Sequence, residues 1–299
     1  MQLLKYSIMM LIGAICYGTL SSLIKIGYSN GFNPGELVGS QYVIGWVIIA
    51  IVFLFSGSYR VSWKHTGLLL LTGMLAALVG KTYAVSVQEL PASIAVVFLF
   101  QCIWMGTVIE CLLARKWPGK NRMIAIGLVF VGTLLTGAIF GQPFSALSIK
   151  GVLFGLLSAL IFSIYMFCNA RFATKVKTTS RLFYIGTGGM LAAAVTANPV
   201  QLVTRIITTD LWQIGILLGL LGVAIPFFLF AIALPKVGVG LGAILSAAEL
   251  PSAMVTAVLL LGEYVSPQQW FGISLIVVGM LLPDIQHYIK KSRNTMKIA

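Results

Sequence analysis

Charged residues are scarce in this chain. Only 9% of its 299 residues are charged, whereas 59% are hydrophobic, and the mean hydropathy is +1.00. A soluble domain carries about a quarter of charged residues. So few charges cannot cover the surface of a water-soluble protein of this length, and most of that surface must therefore face lipid.

The chain also has few residues of the kinds that support catalysis or metal binding. It has only two histidines, and no Ser–His, paired-Asp or His-Glu-x-x-His arrangement is present. No Walker motif is present, which excludes ATP as a direct energy source. Without a Cys-x-x-Cys pair, we interpret the four cysteines as buried thiols: Cys16, Cys102, Cys111 and Cys168. We therefore expect neither an enzyme nor a bound metal or cofactor.

Long apolar runs occupy most of the chain. A membrane-spanning helix needs roughly 20 largely apolar residues. Loop residues such as Gly, Pro, Asn and Ser separate runs of this kind. The sequence predicts ten spans, near 6–28, 35–56, 66–87, 91–113, 122–140, 150–171, 181–203, 210–233, 237–261 and 267–288.

The basic residues indicate how these spans are oriented. With the N-terminus in the cytoplasm, the predicted inner segments hold sixteen Lys and Arg residues, whereas the outer segments hold only Lys150 and Arg205. Cytoplasmic loops of membrane proteins carry such an excess. The net charge of +13 therefore indicates topology rather than nucleic-acid binding. We predict an inner-membrane protein with both termini in the cytoplasm.

The two halves of the chain repeat each other. Shifted by 147 residues, Ala77 falls on Ala224, and Val131-Gly132 falls on Val278-Gly279. We predict two five-helix repeats, residues 1–145 and 146–290, followed by a basic cytoplasmic tail, 291–299. Because five is odd, the second repeat must cross the membrane in the opposite sense. Inverted repeats of this kind are typical of secondary transporters that alternate between inward-open and outward-open states.

Charges within predicted spans are the first candidates for a site, because burying a charge in lipid is costly. Glu249 lies near the middle of the ninth span. It would bind a proton or a substrate amine, or else bond to a neighbouring helix. Lys81 would bind a substrate carboxylate, pair with an acid, or extend to the headgroups. We interpret Lys25, nearer the end of its span, as a lysine that extends to the headgroups.

Aromatic and polar side chains within the spans would complete a cavity. Proline frees the carbonyl four residues earlier, so two prolines that we place in mid-span, Pro226 and Pro251, are candidates for kinks. Kinked or broken helices line substrate sites in transporters, although a kink also serves packing. The predicted substrate-binding residues are Glu249, Lys81, Tyr83, Trp104, Tyr17, Gln101, Tyr165, Asn169 and Pro251.

Several segments carry a family resemblance. These are 13–18 (GAICYG), 84–95, 247–251 (AAELP), 261–263 (LGE) and 269–272 (QWFG). They resemble the drug/metabolite transporter superfamily, in particular its EamA-type ten-helix branch. The resemblance covers nearly the whole chain. It implies a ten-helix fold and the export or exchange of amino acids or related metabolites.

These observations leave three hypotheses. The first is a secondary transporter of a small metabolite, such as an amino acid or amphipathic amine, coupled to protons through Glu249. The second is an uncoupled facilitator or channel-like pathway with the same fold. The third, an intramembrane enzyme or sensor subunit, lacks a supporting motif. The expected partners are the lipid bilayer, a small-molecule substrate and protons, and nothing in the sequence indicates an oligomeric state.

Overall fold

The structure, a computed structural model, describes residues 2–56, 61–115, 120–136, 148–173, 175–237, 245–246, 248–279 and 282. All regular secondary structure in these segments is helical. The helices are α1 Gln2–Gly18, α2 Leu20–Ser29, α3 Pro34–Phe55, α4 Trp63–Glu89, α5 Ala92–Leu99, α6 Cys102–Ala114, α7 Lys120–Thr136, α8 Ile149–Arg171, α9 Thr178–Thr196, α10 Pro199–Thr208, α11 Leu211–Gly219, α12 Ile225–Val237, α13 Glu249–Leu261 and α14 267–279; a π-helical segment, Leu220–Ala224, joins α11 to α12.

Polar residues just before several helices determine where those helices begin. The Asn33 side chain accepts a hydrogen bond from Glu36 N, and the Glu36 carboxylate accepts one from Asn33 N. This capping box, with Pro34 at the first helical position, begins α3. Ser62 and Ser148 cap α4 and α8 more simply, since each hydroxyl accepts a hydrogen bond from one backbone N–H, that of His65 or Gly151. Each cap satisfies a backbone N–H that the helix itself leaves without a partner.

The length and composition of the described helices confirm an all-α membrane protein. Six of them, counting α1–α2, α5–α6 and α11–α12 as single spans, are long and apolar enough to cross a bilayer. A bent pair, α9 and α10, would make a seventh. The other three predicted spans correspond to α7, α13 and α14, whose described parts are shorter. The count of ten therefore stays a prediction.

The predicted seventh span, 181–203, is wrong as a continuous helix. Helix α9 ends at Thr196, and α10 leaves it at an angle of 94°. Asn198 has a positive φ of 57°, and Pro199 begins the new helix. Proline disfavours a helical conformation in the residue before it, so the sequence Asn-Pro accounts for the break.

The packing of the helices repeats between the two halves. Helix α4 packs on α8 as α12 packs on α1, and α9 packs on α4 as α3 packs on α11. A Cβ on Gly132 would lie 2.5 Å from Gly272 O, and one on Gly279 would lie 2.9 Å from Ala125 O. These two contacts are equivalent, because a shift of 147 residues places Gly132 on Gly279 and Ala125 on Gly272. Helices α7 and α14 therefore meet through two equivalent contacts, as a two-fold axis requires.

The ends and breaks of helices also occur at positions that differ by 147 residues in the two repeats. Helices α6 and α13 both end at a left-handed residue, Arg115 with φ 51° and Gly262 with φ 66°. The fourth span breaks at Phe100 and Gln101. Ala248, a turn residue directly before α13, corresponds to Gln101. The internal repeat therefore extends to local backbone geometry.

Helices α4 and α9 approach each other through glycines. A Cβ on Gly73 would lie 1.9 Å from Ile185 O and 2.7 Å from Gly189 N, and one on Gly188 would lie 2.1 Å from Leu70 O. Small residues allow such close approach of membrane helices. No side chain fits at these positions unless the two backbones move apart.

Predicted outer connections meet at one end of the bundle. Lys25 Nζ donates to Val87 O at 2.8 Å and to Leu90 O at 2.7 Å. It neutralises the carbonyl end of α4, so our interpretation of Lys25 as extending to the headgroups is wrong. Glu89, the last residue of α4, pairs with Lys150 at 2.8 Å.

Two further acids join helices at the same end. Glu36 pairs with Arg205 at 2.8 Å. Glu263 accepts hydrogen bonds from Ala92 N at 2.7 Å and from Ser93 N at 3.1 Å. These contacts link the starts of α3, α5 and α8, the end of α4, helix α10 and the segment after α13, which agrees with the predicted alternation of the spans. We call this the Glu263 end.

Candidate substrate site at the axis between the two repeats

Glu249 lies at the break in the predicted ninth span. It is the first residue of α13, half-buried, where the helix dipole favours a negative charge. Among the described residues, its carboxylate has no hydrogen-bond or ion-pair partner. A carboxylate placed in this way is available to a proton or to a cationic group of a ligand.

The repeat places Glu249 at the axis. Its counterpart in the first repeat is Cys102, and the two side chains lie within electrostatic reach of each other. A Cβ on Gly18 would lie 2.6 Å from Glu249 O. In the equivalent contact, Ser163 Oγ donates to Cys102 O at 2.9 Å. Two equivalent residues can be neighbours only where the halves meet, so Glu249 lies near the centre of the bundle.

Two tyrosines lie near Glu249, and two more lie near the first of these. Tyr17 and Tyr83 lie within electrostatic reach of Glu249. Tyr17 also lies within electrostatic reach of Tyr42 and Tyr165, and these two tyrosines lie within reach of each other. The structure therefore brings three of the predicted site residues together, Glu249, Tyr17 and Tyr83, and it places Tyr165 near Tyr17. Aromatic walls with a hydroxyl at the rim suit a ligand that is partly apolar and partly polar.

Gln101 and Trp104 form a second group at the break in the fourth span. Gln101 is buried, and its amide donates to Val97 O at 3.1 Å and to Thr133 Oγ1 at 2.6 Å. Its carbonyl accepts from Trp104 Nε1 at 3.0 Å. These bonds fix the break between α5 and α6 directly before Cys102, so the two residues support the site from the first repeat.

Asn169 contacts a cation instead of the tyrosines. Its Oδ1 accepts a hydrogen bond from Arg181 Nη2 at 2.8 Å, and its backbone carbonyl accepts a second one. Arg181 in turn lies within electrostatic reach of Tyr165. The structure therefore places a positive charge near Tyr165.

Lys81 contacts the end of a helix, and Pro251 lies in the first turn of one. Lys81 Nζ donates to Thr196 O at 3.1 Å, at the carbonyl end of α9, which places it near the Glu263 end. Pro251 is the third residue of α13. Proline is tolerated in a first helical turn, where the N–H would have no partner. The described interruption of the span lies at Ala248, directly before this helix, and a kink at Pro251 stays a prediction. Ala247, whose carbonyl we expected the proline to free, lies outside the described residues.

Sequence reasoning missed three residues near this site. Cys102 had a usable signal, because the 147-residue shift that defines the repeat pairs it with Glu249. Arg181 is one of the sixteen basic residues of the predicted inner segments, where an arginine at the start of a span is a topological signal. Tyr42 lies in a run of mixed apolar residues and carries no distinguishing pattern.

Comparison with known proteins identifies the family to which this fold belongs. The model of the EamA-like transporter family matches residues 4–138 and 149–282, one match in each repeat. The chain is 25% identical over 285 residues, 93% of each chain, to the uncharacterized transporter YwfM of Bacillus subtilis strain 168. It is also 25% identical over 202 residues to an uncharacterized transporter of Archaeoglobus fulgidus, covering 67% of this chain and 70% of that one.

A solved crystal structure of a protein shares the fold, with a TM-score of 0.64 and 18% identity over 94% of this chain and 97% of the other. The helices, the internal repeat and the two family matches agree over nearly the full length of the chain. The protein is therefore a member of the EamA-like transporter family.

Proposed function

We propose that this membrane transporter is a secondary transporter that exports or exchanges a small amphipathic metabolite bearing an amine, such as an amino acid. The repeats, residues 1–145 and 146–290, would move about the axis and expose the Glu249 site to each side of the inner membrane in turn. Both termini would lie in the cytoplasm. The observation that carries the proposal is the Glu249 carboxylate, which has no hydrogen-bond or ion-pair partner among the described residues and lies near Tyr17, Tyr83 and its repeat counterpart Cys102.

The chemistry of the site supports a role in coupling. A carboxylate in a low-dielectric site is stabilised by a bound ammonium group or neutralised by a proton. If these two ligands exclude each other, loading of substrate on one side requires release of a proton there. Transport of the amine is then coupled to a proton moving in the opposite direction. An uncoupled facilitator of the same fold is the alternative.

Reconstituted transport tests the proposal through Glu249→Gln. The substrate is first identified by a thermal-shift screen of amino acids, amines and nucleosides on the purified protein. Uptake of the best stabiliser into proteoliposomes is then measured with and without a pH gradient. We expect the gradient to raise the uptake rate of the wild type. In the variant this stimulation disappears, and affinity falls on the order of 10-fold or more, because a charge-assisted hydrogen bond is lost.

Glu89→Gln is the matched control. It removes the same charge from an exposed ion pair with Lys150, and such pairs contribute little to stability. We expect this variant to retain gradient-driven uptake. Equal uptake with and without the gradient in the wild type would support the uncoupled facilitator. Undiminished coupling in Glu249→Gln would remove Glu249 from the mechanism.

A further inference from the structure

Helix α10 is not needed to complete the span that precedes it. Helix α9, Thr178–Thr196, has 19 residues. At about 1.5 Å per residue it is roughly 28 Å long. The hydrocarbon core of a bilayer is about 30 Å thick, so α9 crosses nearly all of it without α10. Because α10 leaves α9 at an angle of 94°, it runs close to the plane of the membrane that α9 crosses.

Contacts with α3 give the depth of α10 in the bundle. Arg205 pairs with Glu36, the third residue of α3, and its guanidinium lies 5.8 Å from the centre of the Phe32 ring. Leu202 is buried beside Gly39, where an added Cβ would lie 2.7 Å from Leu202 Cδ2. These contacts involve the loop before α3 and its first two turns. Helix α10 therefore lies at the Glu263 end, level with the ends of the spans.

The side chains of α10 fall into three sectors, because successive residues are about 100° apart around a helix. Leu202 and Ile206 share one sector and pack on the core of the bundle. Val200, Val203 and Ile207 share the next sector and are exposed by 75%, 51% and 75%. The remaining sector is polar and holds Gln201, Thr204, Arg205 and Thr208. The helix therefore presents one apolar and one polar sector to its surroundings.

The segments on either side of α10 expose apolar side chains as well. Val195, near the end of α9, is 75% exposed, and Trp212, the second residue of α11, is 47% exposed. Tryptophan is enriched in membrane proteins where hydrocarbon meets water. The apolar sector of α10 therefore continues an apolar surface that, in a membrane protein, faces lipid.

We propose that α10 is an interfacial helix that lies in the leaflet at the Glu263 end, the outer leaflet in the predicted topology. Its apolar sector, Val200, Val203 and Ile207, contacts acyl chains, and its polar sector faces headgroups and water. Amphipathic helices bind a membrane surface in this orientation. A protein partner is disfavoured, because three side chains offer far less than the roughly 800 Å² per partner that a stable interface buries. The inference is independent of the transported substrate.

Spin labels on the protein in lipid nanodiscs test the position of α10. After the four native cysteines are replaced by alanine, labels are attached to Val203→Cys and Ile207→Cys in the apolar sector, and to Thr204→Cys and Thr208→Cys in the polar one. Power saturation measures collisions with oxygen, which concentrates in lipid, and with a water-soluble nickel chelate. We expect the apolar pair to lie about 5–10 Å below the headgroups. The polar pair should collide mainly with nickel.

Leu160→Cys is the reference for the bilayer core, since Leu160 is exposed at the centre of α8. Elution of each labelled protein as a single peak with the wild type shows that it is folded. Nickel collisions that dominate at all four positions would place α10 in water, and oxygen collisions that dominate at all four would place it within the hydrocarbon. Either result overturns the proposal. Protection of the apolar pair from both reagents overturns it too, because a second protein would then cover this sector.

Tryptophan fluorescence provides a second measurement in a chain that keeps its cysteines. Val203→Trp should add fluorescence that lipids brominated on their acyl chains quench, relative to the same lipids without bromine. Thr204→Trp, the matched control on the polar sector, should add fluorescence that these lipids quench less. Equal quenching of the two variants would contradict the orientation that we propose for α10.

Discussion

Gly73→Leu is expected to abolish the accumulation of folded protein. A Cβ at this position would lie 1.9 Å from Ile185 O and 2.7 Å from Gly189 N. Both neighbours are backbone atoms of α9, so no change of rotamer relieves the overlap. Overpacking costs about 1–3 kcal/mol where side chains yield, and more where a backbone must move. Because α4 also packs on α8, displacing it disturbs the contact between the repeats.

Fluorescence-detected size-exclusion chromatography of a GFP fusion measures the amount of folded Gly73→Leu protein. The smaller change Gly73→Ala should lower the melting temperature, which measures the cost of the overlap. Gly67→Ala is the control in the same helix, because a Cβ there meets nothing within 4 Å. Alanine is favoured over glycine by about 1 kcal/mol within a helix, so this variant should retain or raise the melting temperature. A normal elution profile for Gly73→Leu would show that α4 and α9 lie farther apart than described.

Glu263→Gln should produce the second large effect, a shift toward the state that is open at the Glu263 end. Helix α5 follows Pro91 and has no side-chain cap from its own segment. Glu263, from the other repeat, satisfies Ala92 N and Ser93 N, and it accepts a further bond from Ser93 Oγ at 2.6 Å. An amide has one acceptor oxygen, so at least one of these donors is left without a charged partner.

The size of the shift follows from the bonds that are lost. A hydrogen bond to a charged group contributes about 1.5–3 kcal/mol, which corresponds to roughly a 10- to 100-fold change in the equilibrium between the two states. Spin labels at the exposed positions Gln88 and Tyr264 would report the separation across this end by pulsed electron resonance. We expect a longer distance to dominate in Glu263→Gln.

Glu36→Gln is a comparison at the same end, where the partner Arg205 is partly exposed. This pair joins one half-exposed arginine to Glu36, and a glutamine carbonyl can still accept from Asn33 N, so the distance distribution should change less than in Glu263→Gln. An unchanged distribution in Glu263→Gln would show that this contact does not control opening.

Much of the fold followed from the sequence because lipid imposes long apolar helices, and because a repeat constrains one half by the other. The breaks between spans were harder to predict. Asn198-Pro199 gave a local signal for the bend after α9, yet the apolar residues that follow continue the hydrophobic run. Hydropathy measures the free energy of transfer of residues from water to lipid. Since α10 is apolar whether it continues α9 or leaves it at 94°, hydropathy alone does not reveal the bend.

The candidate site was predicted in part for a related reason. Glu249 was recognisable because a carboxylate within an apolar run is rare. Arg181 was not, because an arginine at the start of a span is normally a topological signal. Lys81 and Lys25 show the converse, since both bind backbone carbonyls at the ends of helices. From the sequence one can recognise a charge that is costly to place in lipid, but one cannot predict which atom of the folded protein will bind that charge.

The pairing of Glu249 with Cys102 has a consequence for the stoichiometry of the proposed cycle. A carrier made of two identical halves would place two carboxylates at the axis and would have to accommodate their repulsion. In this chain, a cysteine stands where the first repeat would carry the second carboxylate. Under the proposed function, one turnover would exchange one unit of charge at Glu249, and the exchange of one proton for one monovalent cation would be electrically silent. For a net-neutral substrate, each cycle would transfer one charge, and membrane voltage would then contribute to the driving force.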